Sequence, residues 1–389
     1  MQPMVTDQTR RKLLQGALGG IVLSPFASVL SGCSQPLPVI NASDKPNVAN
    51  SREAIIGCSR QPNGQFDVVV AKPNGMPIYQ LNLPARGHGV AIQPNGTLAA
   101  AFSRRPGRYL QVFDYRTGER WPLKQADQDR HYYGHGVFSP DGQWLYATEG
   151  KAHTSEGVIG VYALNHEAST QPKLIKVAEF TGFGIGPHEV VLADQDTLAI
   201  GVGGVHTQGR TPLNLDTMQP ALVYINRHTG ELVDQAELAD KRLSIRHLSV
   251  TESGDIACGQ QYRGEPEDAV PLVALHRRGG PLNSLVAEDE EWQRFNHYIA
   301  SIASLDGYLL ATSPRGNCYG IWNEASKELV ALNPLIDASG VGVLNGAWRV
   351  GSGSGKIASV SPPATSVTFQ SPIMWDNHWH IVGTNKKSS

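Results

Sequence analysis

Charged residues of either sign are scarce in this sequence. Asp, Glu, Lys and Arg make up 17% of its 389 residues, and the formal net charge at pH 7 is −2. A protein that binds nucleic acid needs a surplus of basic side chains to neutralise phosphates, and this chain has none. A membrane-spanning helix requires an apolar run of about 20 residues, and the sequence after the N-terminal segment contains no such run. The composition therefore argues against a nucleic-acid partner and against a transmembrane helix in the main part of the chain.

Cysteine is rare as well, with four in the whole chain and no Cys-x-x-Cys spacing. Cys33 belongs to an N-terminal segment with the features of an export signal. The other three, Cys58, Cys258 and Cys318, are an odd number and cannot all pair, even in an oxidising compartment. This excludes a disulfide scaffold and a thiolate metal site. Cys58 and Cys258 lie inside apolar runs, where we expect them to be buried as small hydrophobic residues.

The first 33 residues have the pattern of a targeting signal. The run Thr9-Arg10-Arg11-Lys12-Leu13-Leu14 matches a twin-arginine export motif, with Arg10 and Arg11 as the signal residues. The tetrad Leu30-Ser31-Gly32-Cys33 resembles a bacterial lipobox, which implies lipidation at Cys33 and attachment to a membrane. A short amphipathic helix with an ordinary cysteine is the alternative. We therefore expect a periplasmic, Tat-exported and lipid-anchored protein, in which residues 34–50 form a polar tether.

Glycine and proline are abundant, with 41 and 25 residues, and they separate short apolar runs. From Ser51 onward these runs form a repeat that contains turns such as Pro94-Asn95-Gly96 and Pro140-Asp141-Gly142. Short strands at this spacing predict an all-β fold, a seven-bladed β-propeller spanning residues 51–389. A β-sandwich is the main rival, but it does not explain the matching turns.

The two ends of the repeat predict how the ring closes. The first copy begins at a second strand, Glu53 to Arg60, and the C-terminal run Trp379 to Val382 has no second strand after it. We therefore expect the C-terminal strand to pair into the first blade, which removes the open sheet edge. Blades two to seven are then predicted to start near Arg86, Tyr133, Gly186, Ile245, His297 and Ser339.

Five histidines recur in the same register, at the start of the predicted first strands. They are His88, His135, His188, His247 and His378. The first strand of each propeller blade lines the central axis, so these imidazoles should converge there and could bind a transition metal such as iron or copper. Blades six and seven lack a matching histidine and offer Ile299 or Ala300 and Ser339 with Gly340. The alternative is that each histidine binds a carbonyl of a neighbouring blade and only orders the tunnel.

Further polar residues follow the second strands and should share a rim with the histidines. The candidate rim contributors are Glu189, Arg104, Glu149, His153, His206 and Arg315. Glu189 follows His188 directly and is either a carboxylate ligand or a rim charge. His153 and His206 are interpreted first as loop residues that could extend the site.

The export motif, the lipobox, the Gly-His-Gly-Val and Pro-His-Glu-Val strands and the closing Trp375-Asp376-Asn377-His378-Trp379 resemble one bacterial family. It is the periplasmic propeller family called domain of unknown function 1513, and the resemblance spans nearly the whole mature chain. Members are often encoded beside imelysin-type iron-uptake proteins, which implies periplasmic metal-uptake proteins as partners. The resemblance assigns no catalytic residues to this chain.

Three functions are therefore open at the level of sequence. The leading hypothesis is an exported binding protein that takes part in iron or copper uptake or handling through a metal at its axis. The second is a lactonase-like propeller hydrolase, in which rim groups act on a sugar-acid-like substrate with a metal as Lewis acid. The third is a scaffold for envelope proteins. Whether the protein is an enzyme stays open, with binding favoured.

Overall fold

Seven antiparallel four-stranded sheets form the described part of the chain, which is residues 53–165 and 171–383 of a computed structural model. They are the seven blades of a β-propeller, as the repeat predicted. The signal, the tether, Arg10, Arg11 and Cys33 lie outside the described residues. Among the described residues, no helix combines the length and the apolar character needed to cross a membrane.

The strands of each blade run from the axis outward in a fixed order. Blade one contains Trp375–Val382, Ala54–Arg60, Phe66–Ala71 and Pro77–Leu83. Blade two contains Gly87–Ile92, Leu98–Ser103, Tyr109–Asp114 and Lys124–Gln125. Blade three contains Arg130–Phe138, Trp144–Lys151, Gly157–Asn165 and Lys173–Phe180. Blade four contains Pro187–Leu192, Thr197–Val202, Ala221–Asn226 and Leu232–Ala236.

The remaining blades follow the same order. Blade five contains Leu243–Val250, Ile256–Tyr262, Val273–His276 and Leu282–Ser284. Blade six contains Ser301–Leu305, Tyr308–Ser313, Cys318–Asn323 and Leu329–Pro334. Blade seven contains Ala338–Leu344, Ala347–Ser352, Lys356–Ser361 and Thr365–Gln370. A small hairpin of Thr207–Gln208 and Thr211–Pro212 and a 3-10 turn at Leu215–Thr217 interrupt blade four, and an α-helix, Asp289–Arg294, joins blades five and six.

The predicted closure of the ring is confirmed. The C-terminal strand pairs antiparallel with Ala54–Arg60, with Ile55 opposite Ile381 and Gly57 opposite Trp379. Blade one is thus built from both ends of the propeller, and the inner edge of Ala54–Arg60 is paired. This pairing also places the residues just before Trp379 at the axis.

Burial within each blade depends on distance from the axis. The second strand of blade two, Leu98–Ser103, is buried along its whole length, while the outermost strand of blade seven, Thr365–Gln370, is exposed throughout. Apolar clusters lie between neighbouring blades, where Trp322 and Trp348 are fully buried. Inner strands have a blade on each side, so both of their faces leave water, and this explains their runs of small and β-branched residues.

The three described cysteines, Cys58, Cys258 and Cys318, are buried and unpaired. Burial raises the pKa of the Cys58 and Cys258 thiols. Cys58 and Cys258 pack as small apolar groups in the hydrophobic clusters, as their apolar neighbours in the sequence predicted.

Candidate metal centre

Each of the five repeated histidines lies at an irregularity of an innermost strand. The pairing register shifts between Gly87 and Val90, Tyr132 and Gly136, Pro187 and Val190, Ile245 and His247, and, in blade one, across the segment that contains His378. A bulge leaves a residue out of the ladder and changes the direction of its side chain. The residues left out of the ladder include His88, His135, His188 and His378, whereas in blade five Arg246 is left out and His247 pairs with Gly259. The five histidine side chains meet at the axis beside these irregularities.

Glycines beside the histidines let the strands approach closely. Gly134 has a φ of +106°, and a Cβ atom there would lie 2.7 Å from His88 Cδ2. A Cβ on Gly89 would lie 2.5 Å from the carbonyl oxygen of Gly134. The Gly-His-Gly pattern in the sequence thus reflects a close contact between blades two and three that a larger residue would prevent.

The structure brings all five histidines into one cluster, which we call the axial cluster. The ring of His378 lies 4.6 Å, centroid to centroid, from those of His88, His135 and His247. The ring of His188 lies 4.7 Å from those of His135 and His247. The closing strand of blade one therefore carries a central member of the cluster.

All five imidazoles are buried, with exposed fractions from 0% for His247 to 8% for His188. Burial, followed by the neighbouring imidazoles and arginines, holds the pKa of His188, His247 and His378 well below 6.5. The pKa of His135 is likewise well below 6.5, again chiefly through burial. Burial also lowers the pKa of His88, although Asp376 opposes this effect. The cluster is therefore neutral at pH 7, the form that binds metals.

One ring nitrogen of each histidine is buried without a hydrogen-bond partner among the described residues. These atoms are Nδ1 of His88 and His188 and Nε2 of His135, His247 and His378. Buried polar atoms in folded proteins are nearly always paired, and leaving one unpaired costs about 1–3 kcal/mol. Five such unpaired nitrogen atoms lie in this one cluster, and a bound ligand would give them partners.

A carboxylate, that of Glu189, contacts two members of the cluster. Glu189 Oε2 accepts a hydrogen bond from the backbone N–H of Leu248 (3.0 Å) and lies 3.3 Å from Nδ1 of His247. Its Oε1 lies 3.8 Å from Nδ1 of His135. A carboxylate on Nδ1 favours the tautomer with a proton there and a lone pair on Nε2, the atom that is unpaired in both rings.

Asp376 is a second carboxylate beside the cluster. Its Oδ2 accepts a hydrogen bond from Arg86 Nε at 2.6 Å, and its Oδ1 lies 3.8 Å from Nδ1 of His88. Burial alone would raise the pKa of Asp376, but His88 and Arg86 together hold it well below its usual range. Asp376 therefore stays ionised beside the neutral imidazoles.

Cavities adjoin the cluster on two sides. One, of about 290 Å³, is lined by His88, His188 and several arginines, and we call it the arginine cavity. The other, of about 310 Å³, is lined by His135, His378 and Glu189. Members of the cluster thus face both cavities, and a ligand can approach them.

The other predicted rim residues divide into two groups. Arg104 and Arg315 line the arginine cavity, where Arg315 lies over the ring of Tyr298, 4.8 Å from its centroid. His206 is half-buried with its Nδ1 3.1 Å from Ser155 Oγ, and His153 lies in an exposed turn. Neither of these two histidines lines the two cavities.

Glu149 is engaged elsewhere. Its carboxylate accepts hydrogen bonds from Lys176 Nζ (2.8 Å) and from the hydroxyl of Tyr162 (2.5 Å). Burial raises its pKa, against the opposing effect of Lys176. Glu149 follows the second run of blade three in sequence, but this run continues as a strand to Lys151, so Glu149 is a strand residue that pairs with the third strand.

Several residues of the site were not assigned from the sequence. They are Asp376, Arg246, Arg263, Tyr298 and Asn377. Arg246 immediately precedes His247, and the signal available was this adjacency to a repeated histidine. In a regular strand consecutive side chains point to opposite faces, so the bulge between Ile245 and His247 had to be known before both could be placed in one site.

Two overlapping groups of three histidines have the spacing to hold a metal ion. They are His88 with His135 and His188, and His135 with His247 and His378, and in each group one ring nitrogen per residue lies within 4.8 Å of the other two. Nitrogens bound to a metal at about 2.1 Å would need each ring to move inward by less than about 1 Å. His135 belongs to both groups.

A search of curated proteins finds no significant match. The family model described as protein of unknown function (DUF1513) matches residues 81–382, which extends from the last strand of blade one through the closing strand. The match includes all five histidines of the axial cluster and the arginines of the cavity. The chain therefore belongs to the family of proteins of unknown function DUF1513.

Proposed function

We propose that the protein binds a transition metal ion in the axial cluster, with His135 as the ligand that both groups of three histidines share. The observation that carries this proposal is the set of five buried, neutral imidazoles that each have one unpaired ring nitrogen. A bound cation would be coordinated by three of these imidazoles at once, which gives a reason for histidines to be repeated around the axis. A purely structural histidine needs no such unpaired atom.

The ligand set limits the kind of metal. Imidazole nitrogens suit copper, zinc, iron and nickel, whereas magnesium and calcium prefer oxygen ligands. Glu189 accepts the Leu248 N–H and faces Nδ1 of His247, so it orients ligands and fixes their tautomer. Iron or copper, the metals suggested by the family resemblance, are both compatible with this donor set.

The test is metal binding by purified, metal-free protein. We expect one ion per chain by elemental analysis after loading with Cu²⁺, Zn²⁺ or Fe²⁺ and desalting. His135→Ala should abolish stoichiometric binding because it removes a ligand from both groups. His188→Ala and His247→Ala each affect one group, so the variant that loses the ion identifies which group holds it. His228→Ala, in an exposed turn of blade four, is the matched control and should bind as wild type does.

Absence of a stoichiometric ion in wild type, or unchanged binding in His135→Ala, would contradict the proposal. Circular dichroism of each variant distinguishes loss of the ligand from loss of the fold. A lactone-hydrolysis assay on the same samples tests the hydrolase hypothesis. Uptake or handling of iron or copper in the periplasm, with export and lipid anchoring through Cys33, is the cellular role that we propose for this binding.

A further inference from the structure

Six arginines from four blades converge on the arginine cavity. They are Arg104 and Arg105 of blade two, Arg210 of blade four, Arg246 and Arg263 of blade five, and Arg315 of blade six. No Asp or Glu lines this cavity. Such a concentration of one sign of charge contrasts with a chain that is nearly neutral overall.

The positive charge of the cavity is not compensated within the described residues. None of the six guanidinium groups has a carboxylate within 4.0 Å, although 13 ion pairs between Lys or Arg and a carboxylate occur elsewhere in that part of the chain. Asp376, whose charge acts on Arg104, is already bound by Arg86. The cavity is therefore positive throughout.

Arg246 and the Nε atom of Arg263 are held away from water. Arg246 is 7% exposed, and its one hydrogen bond in the described chain runs from Nε to Ser244 Oγ at 3.1 Å. The Nε atom of Arg263 is buried without a partner. Guanidinium groups keep their charge at pH 7, so both arginines are cations. Keeping buried, unpaired, like charges together is costly unless an anion binds between them.

We propose that the arginine cavity binds a small anion with several charged oxygen atoms, of the polycarboxylate or phosphate class. Guanidinium groups bind both kinds of oxyanion through paired N–H donors. A volume of about 290 Å³ lies at the lower end of the range for small-molecule pockets and fits a compact ligand rather than a polymer. His88 and His188 line the same cavity, so where the proposed metal function holds, the anion lies against the metal centre.

The test is calorimetric titration of metal-free, full-length protein with citrate, inorganic phosphate and acetate in about 0.15 M NaCl, which screens unspecific attraction. We expect citrate or phosphate to bind with a stoichiometry of one, and acetate to bind at least tenfold more weakly. The preferred anion distinguishes the polycarboxylate from the phosphate class. Each of Arg104→Gln, Arg246→Gln and Arg315→Gln should weaken binding by about 10- to 100-fold because each removes a charge-assisted hydrogen bond.

Arg116→Gln is the matched control, since Arg116 lies in an exposed turn of blade two outside the cavity and the substitution removes the same charge. Arg104 is half-buried and Arg315 is exposed, so we expect variants at these two positions to fold. They keep the test informative if Arg246→Gln fails to fold. Failure of both citrate and phosphate to bind wild type would overturn the proposal, as would equal affinities for acetate or unchanged affinities in the cavity variants. His135→Ala separates the two proposals, because it should lose the metal and retain the anion.

Discussion

Buried histidines occur in two very different environments in this protein. In the interior of blade five, His276 is 1% exposed, and both of its ring nitrogens are paired, Nδ1 with the hydroxyl of Tyr224 (2.6 Å) and Nε2 with the carbonyl of Gly280 (3.0 Å). At the axis, five histidines are equally buried, and each has an unpaired nitrogen. Burial alone therefore does not distinguish the two environments, whereas the hydrogen bonds of the imidazoles do.

The largest expected difference between the two environments is in stability without metal. His276→Ala leaves the Tyr224 hydroxyl unpaired and opens a cavity, so we expect a loss of about 2–4 kcal/mol in the free energy of unfolding. His188→Leu removes an unpaired buried nitrogen at little change in volume, so we expect a change between zero and a gain of about 1 kcal/mol. Urea denaturation in the presence of a chelator measures both.

Metal binding should show the opposite order where the group of His88, His135 and His188 holds the ion, because only His188→Leu then removes a ligand. His276→Ala should still bind one ion per folded chain, because its ring lies outside the axial cluster. Equal losses of stability at the two positions would mean that the axial histidines are structural, and the comparison would fail.

The next largest effect is expected for the carboxylate that supports the axial cluster. Glu189→Gln keeps an oxygen that can accept the Leu248 N–H but removes the charge beside His135 and His247. Loss of such a supporting group typically lowers metal affinity 10- to 100-fold. Competition with a chelator of known affinity measures this change. An affinity equal to that of wild type would show that the metal does not use these two rings.

The smallest effect is expected in the pH dependence of the metal-free protein. The pKa of His135, His188, His247 and His378 lies well below 6.5 in the folded state, whereas unfolded histidine has a pKa of about 6.5. The unfolded chain then binds more protons, so stability is full above about pH 6.5 and falls as the pH drops toward the folded pKa values.

Each of these histidines can contribute at most about 1.4 kcal/mol per pH unit to this slope. The free energy of unfolding, measured by denaturation between about pH 7.5 and about pH 5.5, should therefore change less with pH for His188→Leu than for wild type. His228→Ala, at the surface, should retain the wild-type slope. A slope that is unchanged in His188→Leu would contradict the depressed pKa of His188.

Much of the fold could be read from sequence because its signals are local. Turns such as Pro140-Asp141-Gly142 and the alignment of short apolar runs gave seven blades, and the missing strands at the two ends gave the closure that pairs Ile55 with Ile381. The convergence of the histidines also followed, since a repeated register in a closed ring becomes a position in space. Arg104 and Arg315 were placed at the rim by the same reasoning.

The features of the site that the sequence does not predict depend on departures from regular strands and on contacts between residues far apart in the chain. Glu149 was expected at the rim, but its strand continues to Lys151 and its carboxylate pairs with Lys176, which is 27 residues later in the chain. Arg246 could not be placed because a regular strand would turn it away from His247, and Arg263 because no repeat marks it. Asp376 belongs to the closing motif Trp375-Asp376-Asn377-His378-Trp379, but its contact with Arg86 spans 290 residues.

The sequence by itself determined the repeat, the number of blades and the register of five histidines, because short-range patterns of apolar residues and turns fix strands. Only the tertiary structure decided that these imidazoles are neutral, that each has one unpaired nitrogen, and that six arginines share a cavity with two of them. Those properties depend on burial and on neighbours from other blades. They arise from the closed ring, in which residues far apart in the chain share one small volume with little water.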